Sequence, residues 1–193
     1  MLYGATTRAL LLYLDVQDVI RVHWSPLLID EMSRALVKTE RRTADEARLN
    51  EASMSRIAPG ASVSTLEVQS VFKTAYRGVN DAKDLHVAAC AVALLAFDYY
   101  PSQRKAHLIT RNAKDFAPKK LAMLDVIQRH PDAFLLEVWE RTPSEMAEAF
   151  RDFRSDLPSG PTVEALLEKL SNDGQRRTAA AMRRAHDSGL HEL

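Results

Sequence analysis

Apolar positions recur at helical spacing through most of this chain and yield to short β-like runs in only a few places. Leu10, Leu11, Leu12 and Leu14 make Thr6 to Leu14 a short apolar helix. Ser25–Pro26 is a helix start, an N-cap serine followed by proline at the first helical position. Leu27, Leu28, Met32 and Leu36 carry that helix to about Thr39. Glu40 to Ile57 is charged and Ala-rich and predicts a second helix with an exposed face, broken at Pro59–Gly60. Val63 to Tyr76 predicts a third, followed by a loop containing Gly78. Asp81 to Phe97 carries the strongest helical pattern, with Leu85, Ala88, Ala89, Val92 and Leu95–Ala96 on one face. Its alanines allow close approach to a sheet.

The β-like runs are Arg21 to Trp24, Ala106 to Thr110 and Val126–Ile127, and Pro131–Asp132 opens another helix through Trp139. Helices alternating with short strands predict an α/β sheet with helices on its faces. From about Thr142 the β-branched residues thin out. Three helical segments follow, Pro143 to Phe153, Val163 to Leu170 and Gln175 to His186, with a Pro/Gly linker at Leu157 to Pro161. The chain therefore divides into an α/β domain over 1–141 and a helical extension over 142–193. The last helix carries Arg176, Arg177, Arg183 and Arg184, which suit either a solvated face or a surface for phosphate or a partner.

Composition narrows the class. Hydrophobic residues make up 46% of the 193, enough for a core. The formal net charge is zero, which argues against holding nucleic acid by bulk positive charge but leaves room for a small basic groove. Cys90 is the only cysteine, so no internal disulfide and no Cys-based zinc site can form. It lies in the apolar run Val87 to Ala96 and reads as a packing residue. Reduced-thiol usage, the lack of a membrane-length apolar stretch and the lack of a secretory pattern at the start predict a cytoplasmic protein without a membrane partner.

Candidate chemistry lies between Asn80 and Phe116. Asp81 and Asp84 stand at i and i+3 where the strong helix begins, on one side of its first turn. Acids there also suit the helix dipole, and Asp81 could serve only as an N-cap. Thr110–Arg–Asn112–Ala–Lys–Asp115 follows a buried strand, where ligands bind in open α/β sheets, though an ordinary Asn/Asp turn has the same composition. Glu31 sits in the helix that starts at Ser25, next to Asp30, and periodicity does not single it out. Carboxylates converging from separate elements suit Mg²⁺ or Mn²⁺, which take hard oxygen ligands and support phosphate chemistry.

The pair Asp81–Ala–Lys–Asp84–Leu–His–Val–Ala–Ala–Cys–Ala and Leu108–Ile–Thr–Arg–Asn–Ala–Lys–Asp115–Phe116 resembles the second half of PIN domains, especially the larger VapC-type toxins. The resemblance runs back through Trp24–Ser–Pro–Leu–Leu–Ile–Asp–Glu31 and forward through His130–Pro–Asp–Ala–Phe134–Leu, and the helical tail looks like that of longer members. It implies a PIN-like, Rossmann-like parallel sheet flanked by helices. It also implies single-strand RNA cleavage with Mg²⁺ or Mn²⁺, and a cognate antitoxin that holds the toxin inactive. On this resemblance Glu31, Asp84 and Asp115 are the metal-site acids, and Asn112 supplies a neutral oxygen ligand or a hydrogen bond beside the ion. Asp81 is an outer carboxylate, Thr110 orients the loop, and Arg111 and Lys114 meet the nucleic acid.

One departure bears on activity. The family pattern opens on a strand ending in Asp, followed by an Asn-Val-Leu-Tyr-like stretch, whereas this chain begins Met1–Leu2–Tyr3–Gly4. Asp15 and Asp18 come too late to supply that acid. Either the natural start lies upstream, or the chain is a degenerate PIN domain that binds RNA or an antitoxin without cutting. In both cases the sequence as it stands is expected to cut weakly or not at all. A missing central strand leaves sheet edges exposed, so strand addition by a second copy, a homodimer, belongs to the same expectation. A carboxylate-dependent DNA nuclease or phosphatase is the competing enzymatic class.

Overall fold

The computed structural model describes residues 4–193. The opening Met1–Leu2–Tyr3, on which the expectation of a missing first strand rests, lies outside the described residues. The chain forms two compact units, one spanning residues 23–130 and the other joining the segment up to Val22 to residues 131–193. The first helix and residues 131–141 thus group with the C-terminal helices.

The first unit opens with α2 (Pro26–Lys38), after α1 (Ala5–Val16) of the other unit. The Ser25 hydroxyl accepts from Leu28 N–H and Pro26 follows, as the sequence predicts. α3 (Ala44–Ile57) starts later than the charge pattern suggests because Thr43 and Glu46 close a capping box there. Such a cap is worth about 1 kcal/mol, enough to set where a weakly apolar helix begins. The single helix expected over Val63 to Tyr76 is instead two, α4 (Thr65–Ser70) and α5 (Phe72–Ala75), divided at Val71, whose ψ of 4° leaves the helical region.

Asp81 N-caps a 3-10 turn at Ala82–Asp84, and α6 (Leu85–Ala96) follows. Ala88 to Ala93 of α6 are all buried. A helix apolar on nearly every face has to be enclosed, and α6 packs against β1 (Ala106–Ile109), α4 and α5. Cys90 lies in this core, and burial pushes its thiol up to about 12, so it is a packing residue.

β1 and β2 (Val126–Arg129) pair in parallel from Ala106↔Val126 to Ile109↔Arg129, with α7 (Pro118–Ala122) between them in sequence. Among the described residues this is the only sheet, smaller than the one expected from the sequence. Arg21 to Trp24 is not a strand. Only Trp24 makes a bridge, to Ser62, because among the described residues no neighbouring strand offers a ladder to the rest. The fold of this unit is α/β in the coarse sense, a short parallel pair covered by helices.

The second unit is helical: α1 with α8 (Pro131–Arg141), α9 (Pro143–Ser155), α10 (Val163–Asn172) and α11 (Arg176–Asp187). Phe150, Met146, Leu166, Leu167, Leu170 and Met182 are fully buried in its core with Leu10 and Leu14 of α1. Two of its helices take their N-terminal caps from far along the chain. α1 follows Gly4, which has no side chain to cap it, and the Asp173 carboxylate instead accepts from Thr7 N–H at 3.0 Å. A Cβ on Gly4 would collide with that carboxylate. α11 has no cap from Gln175, and buried Asp132 accepts from Arg177 N–H at 3.1 Å and Thr178 N–H at 3.0 Å. No helix among the described residues is long and apolar enough to cross a membrane.

Candidate metal centre

Two loops of the first unit carry the acids, and a web of backbone bonds holds them side by side. Val79 bridges Phe116 in antiparallel fashion, and Ala117 N–H donates to the Gly78 carbonyl at 2.9 Å. Asn80 N–H donates to the Asp115 carbonyl at 2.8 Å. The Asn80 side-chain amide donates to the carbonyls of Lys114 and Phe116, each at 2.9 Å. Gly78 permits this approach: a Cβ there would run into the buried Leu121 side chain.

The result is convergence. Asp81, Asp84 and Asp115 each offer a carboxylate oxygen, and these atoms lie within 4.8 Å of one another. Asp115 is buried, in a 3-10 turn at Ala113–Asp115 beyond the C-terminal end of β1. Thr110, also buried, extends the parallel ladder by donating its N–H to Arg129 at 2.9 Å, and its hydroxyl accepts from Asn112 N–H at 3.0 Å. These two bonds fix the start of the loop. Asn112 turns inward as well. Its side-chain N–H₂ is turned to the Asp115 carboxylate, to which it donates.

Glu31 is near the group but not within it. Its Oε2 faces His86 Nε2 at 3.0 Å, while His86 Nδ1 faces the Lys83 carbonyl at 3.0 Å. Carboxylate and carbonyl are both acceptors, so the two contacts are hydrogen bonds together only when both ring nitrogens carry protons. Sequence reasoning gave His86 and Lys83 no role. The partner of the histidine, Glu31, is 55 residues away, so no local pattern marks the pair. Asp15 and Asp18 are occupied elsewhere, Asp15 accepting from Val22 N–H at 2.9 Å and Asp18 pairing with Arg21. Arg111 and Lys114 are both exposed on the loop that bears Asp115.

The neighbouring aspartates are held in opposite electrostatic states. Hydrogen bonding to Lys83 holds the Asp81 carboxyl below its ordinary value, its Oδ2 standing 2.7 Å from the ammonium. Asp84 is held above its ordinary value, first by burial and then by the charge of Asp115, with Lys83 opposing and Glu31 adding to the rise. Asp84 Oδ2 is buried and has no hydrogen-bond partner. An orphaned carboxylate oxygen facing other carboxylates is costly unless a proton or a cation compensates it. Oxygen donors of this kind fit Mg²⁺ or Mn²⁺.

Residues 131–184 match the family model described as the VapC50 C-terminal domain. The match begins at Pro131, the first residue of α8 and of the continuous C-terminal part of the helical unit. No curated protein and no solved structure matches the chain.

Proposed function

We propose that this chain is a metal-dependent single-strand RNA endonuclease of PIN type, the toxin of a type II toxin–antitoxin pair, working in the cytoplasm and restrained by a cognate antitoxin protein. The observation that carries this reading is the meeting of Asp81, Asp84 and Asp115, with Asp84 Oδ2 buried and unpartnered. The match of the helical unit to a VapC C-terminal domain supports the biological setting.

Charge distribution supports a nucleic-acid substrate. The zero net charge of the whole chain conceals an imbalance: residues 23–130 hold sixteen Lys and Arg against twelve Asp and Glu, a net of +4. Four of those acids are Glu31, Asp81, Asp84 and Asp115, so the rest of this unit holds sixteen cations against eight acids. A field of that sign attracts a polyanion to an acidic centre that would otherwise repel it.

In this reading Asp84 and Asp115 hold Mg²⁺ or Mn²⁺, with Asp81 and Glu31 completing the acidic surround. The bound ion supplies Lewis-acid polarisation of a phosphate and a nucleophile at neutral pH. Asn112 fixes the rotamer of Asp115, and Thr110 fixes Asn112. Lys83 neutralises Asp81 and lies where it can meet a phosphate oxygen. Arg111 and Lys114 offer charge to the strand at the rim.

The test is Mn²⁺-dependent cleavage of single-stranded RNA by the purified chain, with Asp84→Asn and Asp115→Asn as controls. Weak cleavage that both substitutions abolish is expected; cleavage that survives both would sink the proposal. Single-stranded DNA as a competitor separates this reading from a DNA nuclease. A second reading, a PIN-like module that binds RNA or antitoxin without cutting, is favoured by the engagement of Glu31 with His86 outside the three-aspartate group. Tight two-site metal binding favours catalysis over it.

A further inference from the structure

A cleft of about 660 Å³ opens beside the acidic group within the first unit. One wall is a single face of α2, where Leu27, Glu31, the pair Arg34 and Ala35, and Lys38 recur a helical turn apart. Lys83 and His86 complete the lining. The volume is in the range that small organic ligands occupy.

The lining is sorted by chemistry. Leu27 and Ala35 give it apolar surface, and Arg34, Lys38 and Lys83 give it three cations against one acid, Glu31. Arg34 and Lys38 are one helical turn apart, about 6 Å along the axis, and both are exposed. Arg34 pairs with Asp30, itself exposed, an attachment worth little in water. The cleft shares its walls with the metal centre: Lys83 pairs with Asp81, and His86 holds Glu31, whose charge reaches Asp84.

We propose that this cleft seats a segment of single-stranded RNA next to the scissile position, one base against Leu27 and Ala35 and the adjoining phosphates on Arg34, Lys38 and Lys83. The assignment rests on reading the three-aspartate group as the cutting centre. It adds that the strand enters along α2, so that α2 and not only the Arg111–Lys114 loop sets substrate affinity.

Salt dependence tests it directly. Binding of a fluorescent single-stranded RNA oligonucleotide is measured by anisotropy against salt concentration without divalent metal, so that nothing is cut. The Arg34→Ala, Lys38→Ala double variant should bind more weakly. Its slope of log K against log salt should be shallower by about 1.4, or about 0.7 for each single-strand phosphate that a side chain no longer neutralises. The Arg104→Ala, Lys105→Ala double variant is the comparison. Those residues are exposed and precede β1, at the strand end opposite Thr110 and Asp115, and their removal should leave the slope unchanged. Thermal melts of both variants should match the parent, since all four side chains are exposed. An unchanged slope in the α2 variant overturns the assignment and leaves the cleft to a protein partner, and so does an equal change in both variants. Because no cleavage is read, loss of slope in a chain that never cuts still supports the cleft while removing the nuclease reading.

Discussion

The side-chain amide of Asn80 donates to the backbone carbonyls of both Lys114 and Phe116, at 2.9 Å each, and so clasps the loop of Asp115 to the segment that carries Asp81 and Asp84. The bonds span 34 and 36 residues of sequence. Replacing Asn80 with Ala removes both, a loss of about 1–2 kcal/mol at the usual net value per hydrogen bond. Asn80→Asp should be no better, because a carboxylate cannot donate to a carbonyl. The sharper effect is expected on Mn²⁺ affinity, measured by calorimetry, since the carboxylates would no longer be held at a fixed separation. Unaltered metal affinity in Asn80→Ala would show that the clasp does not hold the acids together.

Asp84 predicts a pH signature for the metal-free protein. Folding raises its pKa, through burial and the charge of Asp115. The protonated carboxyl therefore favours the folded state below the unfolded value, and this contribution is lost as pH rises through the folded value. At neutral pH the ionised group is a liability. Asp84→Asn should then melt higher than the parent at neutral pH in the presence of a chelator, and the advantage should vanish as pH falls below the ordinary carboxylate range. A variant that melts lower than the parent at neutral pH would contradict this.

A cation should reverse that order. At a free Mn²⁺ concentration of one hundred times Kd the parent gains about 2.7 kcal/mol by linkage. Asp84→Asn and Asp115→Asn should gain much less. Differential scanning fluorimetry with and without the ion is sufficient, and an equal shift in parent and variants would place the bound metal elsewhere.

Asp132 governs the helical unit. It is buried, and its carboxylate takes two backbone N–H groups at the start of α11 and the Thr178 hydroxyl at 2.9 Å. Asp132→Ala leaves these donors unpaired in the interior and should cost about 2–4 kcal/mol in urea unfolding. Asp132→Asn keeps one acceptor oxygen and should cost clearly less. Equal losses would mean that packing, and not the cap, is what Asp132 contributes.

Glu40 offers a change in the other direction. It follows α2 with φ of 54°, a left-handed conformation that costs an L-residue about 1–2 kcal/mol and glycine almost nothing. Glu40→Gly should stabilise by up to about 1 kcal/mol after glycine's greater unfolded-state entropy is counted. A lowered melting temperature would show that the Glu40 side chain makes a contribution larger than the backbone strain.

Much of the architecture was legible in the residues because it depends on local chemistry. Ser25–Pro26 starts a helix wherever it lies, the alanine-rich run after Asp84 has to be buried, and the polar stretch after Leu108 marks a strand end. Elements failed where a neighbour was needed. Arg21 to Trp24 has strand-like residues but no ladder to join, and the start of α3 was set by a capping box that the charge pattern concealed.

The sequence by itself determined most of the helices, the two strands that pair, the acids available for a metal and their order. It could not determine which acids meet. Only tertiary structure decided that Asp81, Asp84 and Asp115 share one space while Glu31 turns to His86, because carboxylate convergence depends on contacts such as the Asn80 clasp, made by residues far apart in the chain. Only tertiary structure, likewise, could place α1 with the C-terminal helices, since its N-terminus is capped by Asp173, 166 residues away from Thr7. Periodicity reports which face of an element must be buried; it carries no information about which distant donor or acceptor will satisfy that element's ends.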